Sequence, residues 1–274
     1  MENTLRQLQL AQIEILTEID ALCRAKGIHY SLYAGTLLGA VRHKGFIPWD
    51  DDLDICMSRA DYNKFLDSWK DTEHPGFLIQ NKENAPDFSQ SFTKIRKDHT
   101  AFWQSGEPNN KYHIGIFVDI FPIDRMPNRK IDKFIFQGRC IIYQVLTREY
   151  LPINGSKLEK ALTSVILSLV PKKRRPFRRQ QLMIKITARD TDTSLNTVAI
   201  EVLSTIKKPL PSDLMDEFVE LEFDGKQFMS VKKWDEYLTL KYHNYMQLPP
   251  EKDRVWKHKP LCIDFEHNYD EVER

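Results

Sequence analysis

Between Asp52 and Met57 the chain alternates: Leu53, Ile55 and Met57 are apolar, while Asp52 and Asp54 are acidic and Cys56 follows them. A period of two predicts a strand that sends Leu53 and Ile55 into a core and presents Asp52 and Asp54 on one face. Residues two apart on a strand lie roughly 6.6 Å apart, so both carboxylates can share one divalent cation or bridge two about 4 Å apart. Oxygen donors of this kind favour Mg²⁺ or Mn²⁺. An arbitrary acidic run is often a solvated loop, but Ile47, Trp49, Leu53 and Ile55 flank and interrupt this one, as a half-buried strand requires. An EF-hand calcium loop is excluded. Asp50, Asp52 and Asp54 have its ligand spacing, yet Ile55 stands where the sharp turn needs glycine and Asp61 where the bidentate glutamate belongs.

The segment before the acidic run suggests what a cation there would act on. Gly35 allows close backbone approach and Thr36 offers a hydroxyl. The following Leu-Leu-Gly-Ala-Val reads as the first turn of a helix, whose free N–H groups form a seat for phosphate. Arg42, His43 and Lys44 lie between this turn and the carboxylates, where their charge can neutralise a diphosphate or simply face solvent. Further on, Ile114, Ile116, Phe117, Val118, Ile120 and Phe121 surround Asp119. An ionised aspartate in such an apolar strand is costly unless paired or metal-bound, so Asp119 is a candidate functional residue. Lys94 and Arg96 share one face of a strand near 91–97, with exposed solvation an equal alternative for Arg96.

Three segments together resemble the LicD-type phosphocholine transferases, a family that shares its core with the fukutin-related proteins and has a nucleotidyltransferase-like fold. They are LYAGTLLGAVRHKGFIPWDDDLDICM (32–57), HIGIFVDIFPID (113–124) and YLTLKYHNYMQLPP (237–250). The resemblance implies that Asp52, Asp54 and Asp119 are the catalytic metal carboxylates. It matches Gly35 and Thr36 to the family's glycine-hydroxyl pair, and assigns Lys94, with Arg42, to the donor phosphates. The implied reaction moves phosphocholine from CDP-choline to a hydroxyl of a lipid-linked or soluble glycan, of teichoic-acid or lipopolysaccharide type, and releases CMP. A choline head group calls for aromatic faces, because quaternary ammonium binds through cation–π attraction. Tyr33, Trp49, Trp103, Tyr112 and Phe121 lie near the motifs, and the sequence does not choose among them. Transfer of another CDP-linked group, such as a polyol phosphate, stays open. A nucleotide-sugar glycosyltransferase with a D-x-D site is disfavoured, since only about 50 residues precede the acidic motif.

The whole chain sets the frame. Its 274 residues suit one large domain or a core with a helical annex, and 41% hydrophobic with 29% charged residues suit a soluble globular protein. The strand and helix pattern, together with the resemblance, implies an α/β (α+β) fold with a mixed sheet flanked by helices. We expect a catalytic core over 1–129 and a mainly helical region over 130–274 that completes the acceptor side. A net charge of +1 gives no global attraction to nucleic acid, so no nucleic-acid partner is expected. Cys23, Cys56, Cys140 and Cys262 are widely spaced, which fits reduced thiols and a cytoplasmic protein. Leu5, Leu8, Ile15, Ile19 and Leu22 mark a first helix ending at Gly27, and Ser58 with Asp61 a cap for a helix after the acidic strand. Strands are expected near 28–33, 77–80, 91–97 and 113–121. Within 161–179, the apolar ALTSVILSLV is followed by Pro171 and a cluster of lysines and arginines. This is either a buried helix with a solvated basic loop or a peripheral contact with the inner face of the plasma membrane.

Overall fold

The computed structural model describes residues 2–104, 112–152, 155–258 and 260–272. The chain opens with α1 (Glu2–Lys26), which buries Leu5, Leu8, Ile15, Ile19 and Leu22 and stops at Gly27 in the left-handed conformation (φ +60°). There follow β1 (Ser31–Leu32), α2 (Ala34–His43), β2 (Asp54–Ser58), α3 (Arg59–Lys70), β3 (Phe77–Gln80), β4 (Thr93–Lys97), β5 (Ala101–Trp103) and β6 (Phe117–Arg125). Ser58 caps α3 by accepting from the Asp61 N–H at 3.1 Å. The central sheet has the order β1-β2-β6-β4-β3, with β1–β2, β3–β4 and β4–β6 antiparallel. Strands β2 and β6 are thus neighbours in its middle, where both motif strands are buried: Leu53, Ile55, Met57, Val118 and Ile120 have no exposed surface.

The second half of the chain contains α4 (Lys130–Arg148), α5 (Lys157–Leu169), α6 (Arg175–Ile186), β7 (Thr197–Val198) and α7 (Leu203–Lys207). It then continues through β8 (Phe218–Phe223), β9 (Lys226–Val231), α8 (Trp234–Tyr242) and β10 (Cys262–Asp264). Two compact units result: Met1–Gln80, Thr93–Pro122 and Leu214–Arg274 form one, Asn81–Phe92 and Ile123–Asp213 the other. The second unit is mainly helical, with a small core of Met126, Phe136, Cys140, Ile186, Val198, Ile200 and Ile206.

Residues 214–274 depart from the expected helical region that starts at 130. Here β8 and β9 form a hairpin in which Phe223 pairs with Lys226 across Asp224 and Gly225, both at positive φ. That is the turn an Asp-Gly pair favours, because its twist matches the flanking strands. β9 packs beside β1 and α8 against α2, so this segment belongs to the motif-bearing unit. Cys23, Cys56 and Cys140 are buried and all four cysteines are free thiols.

Candidate active site

The acidic segment Asp50–Asp54 crosses between the end of α2 and the sheet, and its backbone is held from two sides. From α1, the buried side-chain amides of Gln9 and Gln12 donate to the carbonyls of Asp50 and Asp51, each at 3.1 Å. From the sheet, the Asp119 N–H donates to the Leu53 carbonyl at 3.0 Å and the Tyr33 N–H to the Asp54 carbonyl at 2.9 Å. Thr36 completes the frame. Its buried hydroxyl accepts from the Asp54 N–H at 2.8 Å, so in this structure it fixes the carboxylate strand to the first turn of α2.

The carboxylates sort by their partners. Asp51 is fully buried, and its oxygens face the His258 N–H at 2.9 Å and His258 Nδ1 at 3.1 Å. Burial alone would raise its pKa, but the hydrogen bonds and charge of His258 hold it below the ordinary carboxylate value. Asp50 is also buried, with Lys257 Nζ 3.5 Å from its carboxylate. Burial, then the charge of Asp52, raise Asp50 to about 7 in spite of that lysine. Its other oxygen lies against Gly35, where a Cβ would come within 2.8 Å. Gly35 is thus required for a close approach, and the anion beside the first turn of α2 is the chain's own Asp50.

Asp54 and Asp119 are crowded. Asp54 begins β2, and its carboxyl is raised well above its ordinary value by burial, then by Asp52 and Asp119, with Lys241 and Lys94 opposing. Asp119 is raised by burial, with Asp52 adding to the effect and Lys94 offsetting it. The structure therefore brings Asp52, Asp54 and Asp119 within electrostatic reach of one another. Asp52 sits just ahead of the strand instead of on it, since β2 starts at Asp54. Among the described residues, the carboxylate group whose oxygens lie within 4.8 Å of one another is Asp50, Asp51 and Asp52, not the trio of Asp52, Asp54 and Asp119. His258 meets both Asp51 oxygens, so Asp51 already has a charged partner within the chain.

The basic residues are placed with equal specificity. Lys94 lies opposite Asp119 in the β4–β6 register, its Nζ 2.5 Å from Asp119 Oδ1 and 3.3 Å from the centre of the Phe117 ring. Arg96, for which exposed solvation was an alternative, is fully buried: its guanidinium donates to Gln80 Oε1 and the Gly115 carbonyl, each at 2.7 Å, and so braces the sheet. Arg42 donates to the carbonyls of Tyr245 (2.8 Å) and Gln247 (3.3 Å), which ties the segment after α8 to α2 while its charge reaches Asp50. Lys241, on α8, stands over the rings of Tyr33, Tyr237 and Tyr242 at 4.8, 5.7 and 5.5 Å, and burial lowers its pKa while Asp54 opposes the shift. Tyr33 also packs on Phe121 and on Tyr237, with ring centres 5.6 Å apart in each pair. Trp49 instead packs on His43 and Arg254, and Trp103 lies on β5, paired with β10.

Gln9, Gln12, Lys241, Lys257 and His258 were not singled out in the sequence as site residues. No local pattern marks them. Lys241 lies inside one of the family-like segments, which was the available signal. The donor set fits a hard divalent cation: all its atoms are carboxylate oxygens, and burial followed by neighbouring carboxylates raises Asp54 and Asp119 although Lys94 and Lys241 oppose it.

Aspartates on adjacent central strands lie beside a helix whose first turn carries Gly35 and Thr36, and comparison with known proteins places this mixed α/β fold in a class of transferases with a nucleotidyltransferase domain. The family model described as "LicD/FKTN/FKRP, nucleotidyltransferase domain" matches residues 27–144. The chain is 32% identical over 260 residues to the lipopolysaccharide cholinephosphotransferase LicD of Haemophilus influenzae, covering 93% of this chain and 96% of that protein. It is 44% identical over 118 residues to an uncharacterized protein of Rickettsia prowazekii, covering 43% of this chain and 41% of that one. The chain belongs to the LicD family.

Proposed function

We propose that the protein transfers phosphocholine from CDP-choline to a hydroxyl of a cell-surface glycan precursor, of lipopolysaccharide or teichoic-acid type, and releases CMP. The observation that carries this reading is the end-to-end similarity to the Haemophilus cholinephosphotransferase, together with the crowded carboxylates of Asp52, Asp54 and Asp119. In the reaction, the acceptor oxygen attacks the phosphorus that bears choline, the bond to the bridging oxygen breaks, and CMP departs with the electron pair. Asp52, Asp54 and Asp119 would hold Mg²⁺ or Mn²⁺. When bound, such an ion neutralises the diphosphate and the charge that develops on the leaving CMP.

The chain's own side chains have definable parts in this scheme. One aspartate of the trio takes the proton of the attacking hydroxyl. Lys94, held by Asp119, and Lys241, beside Asp54, supply fixed positive charge for the donor phosphates. The rings of Tyr33, Tyr237 and Tyr242 already face an ammonium, and faces of this kind suit the trimethylammonium of choline. Gly35 and Thr36 act through position, the first by admitting Asp50 and the second by fixing the Asp54 backbone.

Phosphorus NMR of a reaction with CDP-choline, Mg²⁺ and a lipopolysaccharide acceptor tests the proposal. CMP together with a phosphodiester on the glycan is the expected result. Release of CDP would show transfer without the phosphate, and turnover of CDP-ribitol in preference to CDP-choline would reassign the head group.

A further inference from the structure

Residues 161–179 do not form the buried helix that short apolar runs usually make. Helix α5 is capped by Ser156 and Glu159 in a reciprocal pair, and of its residues only Thr163 is buried. Leu158, Leu162, Val165 and Leu169 recur at helical spacing on one stripe and are 68%, 55%, 54% and 74% exposed. The stripe leads past Pro171 into a single turn (Lys172–Arg174) and then α6, where Phe177 is also exposed. Helix α4 packs against both α5 and α6 and carries an exposed apolar stripe of its own: Ile131, Phe134, Ile135, Ile141 and Ile142.

The basic cluster divides into two sets. Arg175 donates to the Val170 and Leu167 carbonyls and pairs with Glu149, and Arg179 donates to the Leu146 carbonyl and pairs with the same Glu149. These two arginines fasten the α5–α6 corner to the end of α4. Lys172, Lys173, Arg174 and Arg178 remain exposed beside Leu169 and Phe177. The corner therefore presents four cations next to an apolar stripe, with Glu159 at the far end of α5 as its acid.

We propose that the corner formed by α5, the Lys172–Arg174 turn and the start of α6 is a contact surface for an anionic lipid bilayer. Apolar side chains on one stripe with lysines and arginines beside them are what the boundary between headgroups and acyl chains accommodates. No helix among the described residues is long and apolar enough to cross a membrane, so the contact is peripheral. Charge decides between lipid and a second copy of the chain. A copy offers on the same surface one acid, Glu159, against Lys157 and Lys160 beside it and the four corner cations, whereas an anionic leaflet offers negative charge throughout. The inference does not depend on which group the enzyme transfers.

Flotation of the full chain with vesicles rich in phosphatidylglycerol, and with phosphatidylcholine alone, tests it. The wild type should float with the anionic vesicles and lose binding as salt rises. The variant Lys172→Gln/Lys173→Gln/Arg174→Gln/Arg178→Gln should bind them at least about tenfold more weakly, since each basic residue near the surface adds attraction. Leu162→Gln/Leu169→Gln should weaken binding by about tenfold through lost apolar contact. Circular dichroism checks each variant's folding, and the four-residue variant, confined to exposed side chains, decides the matter even if the leucine variant is unstable. Equal flotation of wild type and the four-residue variant at low salt would overturn the proposal. So would a wild-type dimer in sedimentation that Leu162→Gln/Leu169→Gln dissociates, because the stripe would then be covered by a second copy.

Discussion

Asp50 and Asp51 lie within a few residues of Asp52 and Asp54, yet the two halves of the acidic segment are built differently. The first half has basic partners from the segment after α8: His258 meets both oxygens of Asp51 and holds its pKa down, while Asp50, with Lys257 beside it, is still raised to about 7 by burial and Asp52. In the second half, completed by Asp119, burial raises Asp54 and Asp119 first, Asp52 adds to both and Asp119 to Asp54, while Lys94, 2.5 Å from Asp119, and Lys241 oppose the shift. A buried carboxylate whose partner holds its pKa down, as His258 does for Asp51, supports the fold, while on the proposed reaction Asp54 and Asp119, raised despite their lysines, would take a cation from outside. Sequence proximity alone does not separate these roles. The partners do.

The sharpest way to break this comparison is to change one residue from each half. Asp54→Asn should lower the transfer rate by about a thousandfold or more, because on the proposed reaction it deletes a metal ligand. Its melting temperature without divalent ions should hold or rise as repulsion is relieved. A destabilised Asp54→Asn protein would place Asp54 with the structural half. Asp51→Asn should do the reverse, costing about 2–3 kcal/mol in denaturant unfolding as the charged hydrogen bonds to His258 are weakened. Unchanged stability would show that the first half carries no structural load.

Thr36→Val sharpens the comparison more finely. It keeps the buried shape but removes the acceptor for the Asp54 N–H, and should cost about 1–2 kcal/mol. Activity should fall by roughly tenfold or more as Asp54 loses its fixed position. Full activity at reduced stability would limit the hydroxyl to the fold.

The smallest effect is in pH dependence without divalent ions. Asp50, Asp54 and Asp119 have raised pKa values in the folded protein, so their contribution to stability is present below the ordinary carboxylate value and is lost as pH rises, through about 7 for Asp50. Asp51 has the opposite sign: its contribution is present above the ordinary carboxylate value and lost as pH falls. His258 is raised, since Asp51 and Asp52 outweigh its burial. Its contribution is present below about 6.5 and lost as pH climbs through the raised value. Urea unfolding of the ion-free protein should therefore show stability declining between about pH 5 and 8, with Asp51→Asn removing the acid-side loss. Stability that rose over that range would contradict the crowding.

Much of this site was legible because short-range patterns encode it. The alternation around Asp54 predicted a strand with a buried apolar face, the apolar run around Asp119 a central strand, and the Ser58–Asp61 pair a helix cap, and each element is present. What the sequence could not reveal is how distant side chains divide the acidic segment, because Gln9, Gln12, Lys257 and His258 meet it only through the tertiary fold. Thr36 was expected to face phosphate, and no local pattern shows that its hydroxyl turns inward to the Asp54 backbone. The hairpin at 218–231 is a different case. Its Asp224–Gly225 turn between alternating residues is a readable signal, obscured by the helical composition of the region before it. The exposed stripe of α5 was undecidable from its pattern, since a helix face that meets a core and one that meets a bilayer have the same periodicity.

The most direct test of the central claim is Mn²⁺ binding followed by electron paramagnetic resonance in the wild type, Asp54→Asn and Asp50→Asn. The account predicts that the wild type binds Mn²⁺, that Asp54→Asn loses this binding, and that Asp50→Asn keeps it, because Asp50 answers to Lys257 and the first turn of α2. Binding that survives in Asp54→Asn and vanishes in Asp50→Asn would place the cation on the first half of the acidic segment and contradict the division drawn here.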